Sequence, residues 1–128
     1  MAKWASPHQT TSSWQQRRVN DLPLYEFDPS PGLITPSAPA LAEPLPARVV
    51  LSYFPELVSA LPATHGAGQI GWFSGETGAG DIYAVGSGND AVAVTHAGMG
   101  APLAAHHLEQ LIAAGGTTFV ACAGAGAV

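Results

Sequence analysis

The stretch Val92–Val128, VAVTHAGMGAPLAAHHLEQLIAAGGTTFVACAGAGAV, decides the fold class. Ala91–Thr95 is β-branched and apolar and reads as a strand. Gly98, Met99 and Gly100 make a turn, and Pro102 stands at the first turn of a helix, where proline is favoured. Leu108, Leu111 and Ile112 follow at i, i+3, i+4 and give that helix one apolar side, and Gly115-Gly116 stops it. Thr117–Cys122 is the next strand. Its run of apolar and β-branched residues predicts a central position and a buried, inert Cys122 thiol. Strand, helix, strand predicts a parallel pair with a right-handed crossover. The Gly-rich turns at 98–100 and 124–126 then fall at the same end of neighbouring strands.

Working outward, Arg48–Tyr53 (RVVLSY) reads as a buried strand. Pro55 opens a helix with an apolar face of Leu57, Val58 and Leu61, and Pro62 is expected to end it. Ile70–Phe73 and Asp81–Val85 are short strands on either side of the turn-rich Gly75–Gly80, and Asn89-Asp90 marks a hairpin between Tyr83 and Val92. The alternation predicts an α/β fold. Three segments follow: residues 1–21 as a polar flexible arm, 22–47 as an extended lead-in wrapped on the surface, and 48–128 as the domain. Seven of the eleven prolines fall within Leu22–Pro46, which rules out a regular helix or central strand there.

Charge narrows the function. All four cations (Lys3, Arg17, Arg18, Arg48) lie at or before position 48, whereas Glu56, Glu76, Asp81, Asp90 and Glu109 follow with no Lys or Arg among them. A nucleic-acid surface needs clustered cations, so nucleic acid is not an expected partner. An anion bound in the domain would depend on backbone N–H groups and helix termini, with Arg48, the arm or another chain as the source of any cation. One cysteine among 128 residues gives no internal disulfide and fits a reducing compartment. The sequence shows neither the continuous apolar run of a signal peptide nor one of membrane-spanning length, so no membrane association is expected.

The glycines at 98 and 100 let a backbone approach a ligand, with the N–H groups of the following helix pointing at it. A tight turn that needs glycine and binds nothing has the same spacing. The dinucleotide fingerprint is not met, because its third glycine falls on Leu103. Gly124, Ala125 and Gly126 close a strand at the end where α/β sheets collect ligands. Adjacent His106 and His107 diverge by about 100° on a helix and, even with Glu109, make no metal site. Both read as solvated, His96 as a hydrogen-bonded turn histidine, and Glu76 and Asp81 as exposed.

Together, a strand followed by Gly-Met-Gly-x-Pro, a helix carrying Leu-Glu-x-Leu-Ile and a strand ending in a Gly-Ala-Gly turn resemble the nucleoside phosphorylase family. The branch meant is that of uridine phosphorylase, the hexameric-type purine nucleoside phosphorylase and the related nucleosidases. The match spans Val92–Val128 and is looser over Arg48–Val85; Asp28-Pro29 falls where the family has a Gly-Asp-Pro turn. The resemblance implies a three-layer α/β/α fold with a mixed central sheet, of which this chain would be about the first half. It implies cleavage of the N-glycosidic bond of a nucleoside, with phosphate as co-substrate and no other cofactor, by a cytoplasmic homo-oligomeric pentosyltransferase. It places Gly98, Met99 and Gly100 under the ribose and phosphate, Gly124, Ala125 and Gly126 on the phosphate side, and the catalytic residues beyond Val128.

Departures stand beside the match. Phe27 and Pro31 occupy the places of the family's Gly and Arg around Asp-Pro, Ala97 that of a hydroxyl residue, and Ala121 and Gly124 those of an Arg and a Ser or Thr. His8 stands ahead of Asp28, as does the N-terminal histidine that some relatives lend to a neighbouring subunit, but its flanking residues differ. The alternatives are a nucleosidase using water, a non-catalytic nucleoside-binding module, and an unrelated small Rossmann-like domain.

Overall fold

The computed structural model describes residues 34–75 and 80–124. The arm, His8, Phe27, Asp28-Pro29, Pro31, Glu76, Ala125 and Gly126 lie outside the described residues. The elements run β1 (Ala40–Leu41), β2 (Arg48–Ser52), α1 (Pro55–His65), β3 (Gly68–Phe73), β4 (Gly80–Val85), a short 3-10 turn (Gly88–Asp90), β5 (Val92–His96), α2 (Ala101–Ala113) and β6 (Thr118–Cys122). They form one mixed sheet of six strands in the order β1-β3-β4-β5-β2-β6. β5, β2 and β6 are parallel, and β1, β3, β4 and β5 pair antiparallel. The fold is therefore α/β. No helix among the described residues is long and apolar enough to cross a membrane.

The predicted β4–β5 hairpin is present, with Tyr83 opposite Val94 and Val85 opposite Val92. The parallel strands differ from expectation. β5 and β6 are not neighbours, because β2 lies between them and pairs with both along its whole length. β6 is an edge strand rather than a central one, with Val120 and Cys122 exposed. A continuous apolar run marks a strand buried on both faces only when both faces are covered, and here β6 stands at the end of the sheet with most of its residues exposed. The lead-in also does more than wrap the surface. Ala40–Leu41 adds a short antiparallel edge to β3, and Leu41 and Leu45 pack on the core, so the compact unit begins at Ile34.

Alternation along the strands separates two faces. Val49, Leu51, Ile82, Ala93 and the fully buried Thr95 share the face covered by α2, with Ile70, Phe73 and Leu111 completing the core. Thr95 can be buried because its hydroxyl donates to the Asp81 carbonyl at 2.8 Å. Val50, Ser52, Val94 and Cys122 line the opposite face beneath α1, where Leu57, Val58 and Leu61 border an apolar cleft of about 250 Å³.

The helices depart from their predicted faces and ends. α1 contains Pro62 and continues to His65. Proline there removes one backbone donor without preventing the remaining bonds, and the stop comes at Gly66 in the left-handed conformation, after which the Ala67 N–H reaches back to the Leu61 carbonyl at 3.4 Å. Val58 carries the burial of α1, whereas Leu57 is 60% exposed. α2 is rotated from its aliphatic stripe: Leu111 is fully buried and Leu108 partly, but Ile112 is 53% exposed and His107 is buried in its place. The rotation turns His107 toward Phe73 on β3, whose ring it stacks on.

This rotation gives an unequal pair of truncations. Leu111→Ala is expected to cost about 2–5 kcal/mol, the range for emptying a fully packed aliphatic site. Ile112→Ala is expected to stay within about 0.5 kcal/mol, as for a surface position. Urea denaturation of both variants measures the difference, and equal losses would contradict the observed face of α2.

Candidate functional site

β2 and β5 lie side by side and parallel, yet the chain leaves them toward opposite faces of the sheet. After Ser52 it enters α1, and after His96 it enters α2. Such a divergence opens a crevice at the carboxyl ends of the strands, the place where open α/β sheets hold ligands. The rim is stitched by backbone bonds: Ala97 N–H to the Ser52 carbonyl and Tyr53 N–H to the Cys122 carbonyl, both 2.9 Å. Register aligns His96, Ser52 and Cys122 across the three strand ends.

The glycine turn stands on this rim. Gly98 and Gly100 have φ of 86° and 82°, and Gly100 with ψ 156° occupies a region that is essentially glycine's alone. The side of Gly98 is also filled: an added Cβ would lie 2.6 Å from Leu103 Cγ and 3.3 Å from His107 Cε1. Glycine at 98 thus answers both a backbone conformation and a close packing contact. Met99, between them, is 87% exposed at the apex. His96 is the turn histidine expected from sequence. Its Nδ1 accepts the Gly98 N–H at 3.1 Å, so the neutral ring carries its hydrogen on Nε2.

Of the predicted second turn, Gly124 is described; it is exposed and borders the Phe54 ring at 3.8 Å from an added Cβ. It is separated from Gly98–Gly100 by the end of β2, so the two glycine turns do not adjoin. The segment between them, Ser52–Pro55, carries no binding motif, and its one signal in the sequence is a strand that ends just before a helix-opening proline. Ser52 is buried and its hydroxyl accepts the Phe54 N–H at 3.1 Å, closing that turn.

Beside the crevice, under α1, lies an open cleft of about 230 Å³ lined by Ser59, Asp81, Tyr83 and His96 with Pro55 and Val58. Asp81 is half-buried, not simply exposed as expected, because it accepts bonds from Gln69 Nε2 at 2.9 Å and Tyr83 Oη at 3.1 Å. Burial first, then the hydrogen bond and charge of Asp81, push the Tyr83 phenol above its ordinary value. It stays a protonated donor.

Arg48, the one cation of the domain, is at the other end of the sheet. It opens β2, donates to the Asn89 carbonyl and pairs with Asp90 at 3.5 Å. Four residue steps of β2 place its backbone about 13 Å from Ser52. Positive potential at the crevice therefore comes from helix N-termini: neither Phe54 before α1 nor Gly100 before α2 has a side-chain cap bond, and α2 has no acidic residue in its first turn while α1 has Glu56. Among the described residues no group of three or more His, Cys, Asp or Glu is placed to hold a metal ion. Cys122, expected to be buried, is exposed because β6 is an edge.

Gly98→Ala is expected to destabilise by about 2–4 kcal/mol, combining backbone strain with overpacking against Leu103 and His107. Gly100→Ala, with Pro102 Cδ 3.8 Å away as its nearest contact, should carry the strain alone, about 1–3 kcal/mol. Thermal unfolding checks the order, and a Gly98→Ala loss no larger than that of Gly100→Ala would contradict the packed side of the turn.

No family model matches the chain, and no curated protein and no solved structure matches it either.

Proposed function

We propose that this chain forms the ribose side of a nucleoside site of nucleoside phosphorylase type. In this reading the whole protein cleaves an N-glycosidic bond, with phosphate as co-substrate, to a base and ribose 1-phosphate. It works in the cytoplasm as a homo-oligomer. The observation that carries the proposal is the position of the Gly98–Met99–Gly100 turn. It stands on the crevice where β2 and β5 diverge, with its apex side chain exposed and an uncapped helix behind it. The turn gives a sugar close backbone approach, Met99 gives its face an apolar contact, and the first turn of α2 gives an anion its N–H groups and dipole. Gly124, with Ala125 and Gly126 after it in sequence, would border the far side across Ser52–Pro55. An oxocarbenium-like transition state is stabilised by an anion beneath the ribose.

A second reading is favoured by the placement of Arg48. With that cation held by Asp90 and Asn89 at the opposite end, the described crevice offers phosphate no side-chain positive charge. Water could attack instead, which would make the protein a nucleosidase.

The product of the whole reading frame that encodes this chain should release base from uridine or inosine. Release that requires phosphate supports the phosphorylase reading, and release without phosphate the nucleosidase. Met99→Ala should raise KM for the nucleoside while leaving stability within about 0.5 kcal/mol. If base release is missing, and neither nucleoside perturbs the Gly98, Met99 and Gly100 amide resonances, the proposal fails.

A further inference from the structure

Of the described histidines, His107 is the buried one, 9% exposed. Three contacts define its setting. Its ring lies parallel to Phe73 of β3, with centroids 4.0 Å apart and planes 6° apart. Its Cε1 edge abuts Gly98, close enough that a Cβ there would stand 3.3 Å away. Its Nδ1 is enclosed and has no hydrogen-bond partner among the described residues. The ring is thus a wedge between the core and the underside of the Gly98–Gly100 turn, carried on the helix that the turn begins.

We infer that His107 holds the Gly98–Gly100 turn in place as a neutral ring and releases it on taking up a proton. The inference goes beyond the proposed function, because it concerns the turn whatever ligand the turn receives. A neutral imidazole needs one donor and one acceptor partner at most, and its uncharged face stacks on Phe73 at little desolvation cost. The protonated ring is a donor at both nitrogens, its enclosed Nδ1 makes no hydrogen bond to the described residues, and the His96 and Ala97 carbonyls offset only part of the cost of burying the charge. Relief comes when the ring leaves Phe73 for solvent through the small cleft beside it, lined by Ser74, Gly75, His106 and Gln110. The support under Gly98 leaves with it.

The groups around His107 set the direction of the effect. Burial is the main influence and lowers its pKa, and the nearby His106 and His96 lower it further. The His96 and Ala97 carbonyls act the other way and offset part of this. Among the described residues the titratable neighbours are thus His106 on its own helix and His96 at the end of β5, while Phe73, Ser74 and Gly75 are what β3 and the two residues after it present. The pKa of the ring in place lies below that of the released ring, so release binds protons. The closed turn is fully favoured above the ordinary imidazole value of about 6.5 and loses ground as pH falls below it.

The test is an NMR titration of the full chain from pH 8 to 5, following the amides of Gly98 and Gly100 and the Cε1–H resonances of His96, His106 and His107. The Gly98 and Gly100 amides should move with the midpoint of the His107 ring. Exchange-measured opening at Gly98 should rise by up to about tenfold per pH unit below that of the free imidazole. His107→Phe, which keeps an aromatic ring on Phe73 without titrating, should abolish the transition, and His106→Gln should retain it. The inference is overturned if the amides follow the His96 ring, which also bonds Gly98, or if His107→Phe keeps the transition. Should His107→Phe not fold, the wild-type comparison of the His96 and His107 midpoints decides the matter by itself.

Discussion

β2 is hydrogen-bonded along both edges, to β5 on one side and β6 on the other, with Val49 and Leu51 buried on the face toward α2. The remaining architecture depends on that central parallel strand. Because β5 and β6 both take their register from it, their carboxyl ends finish level with Ser52. Because parallel neighbours need crossovers, the chain must leave the same end of the sheet repeatedly. Strand β2 leads toward β3 past two strands, and β5 leads toward β6 past β2 itself. The two connections travel in opposite directions and occupy opposite faces, and the crevice between Ser52–Pro55 and His96–Gly100 is the geometric result.

The two faces are finished to different degrees. On the α2 side, aliphatic side chains from four strands meet Leu111, and the buried polar groups are mostly provided for, Thr95 by the Asp81 carbonyl. His107 is the exception, a polar ring enclosed on one nitrogen and stacked on Phe73. A buried group left without a partner is uncommon in folded proteins, and this one sits directly under the glycine turn at the candidate site. On the α1 side, Val58 is the buried residue of the helix, and an apolar cleft stays open between Leu57, Leu61 and the strands. The glycine turn and the underfilled face both lie near the carboxyl ends of the strands, where a scaffold can best hold a ligand.

Electrostatics shape what that end can receive. Arg48, the arginine among the described residues, is held at the opposite end of β2 by a hairpin carbonyl and carboxylate. At the crevice the charged and polar groups are Asp81, Tyr83 and His96, already joined to Gln69, to one another or to the Gly98 backbone. Attraction for an anion thus comes from peptide dipoles at the starts of α1 and α2, and it is strongest at α2, which lacks an acidic first turn. A neutral polyhydroxyl ligand meets no such limit.

Elements whose signal is local were legible in the chain. Strand runs such as VVL and VAVT, the Asn-Asp hairpin, the prolines that open both helices and the glycine pair at 98 and 100 encode backbone preferences that hold in most surroundings. The sequence alone also located the glycine turn at the end of a strand and His96 as a hydrogen-bonded turn histidine beside it, but it left His107 on the solvated side of α2. What it could not set was who lies beside whom. TFVAC has the composition of a central strand and became an edge, because burial depends on neighbours contributed from distant segments. The Leu108, Leu111, Ile112 stripe pointed α2 in one direction, and Phe73, more than thirty positions earlier in the chain, drew His107 inward and turned Ile112 to solvent. The insertion of β2 between β5 and β6 likewise followed from nonlocal pairing, and it alone decided that Ser52–Pro55, rather than a second glycine turn, stands beside Gly98–Gly100.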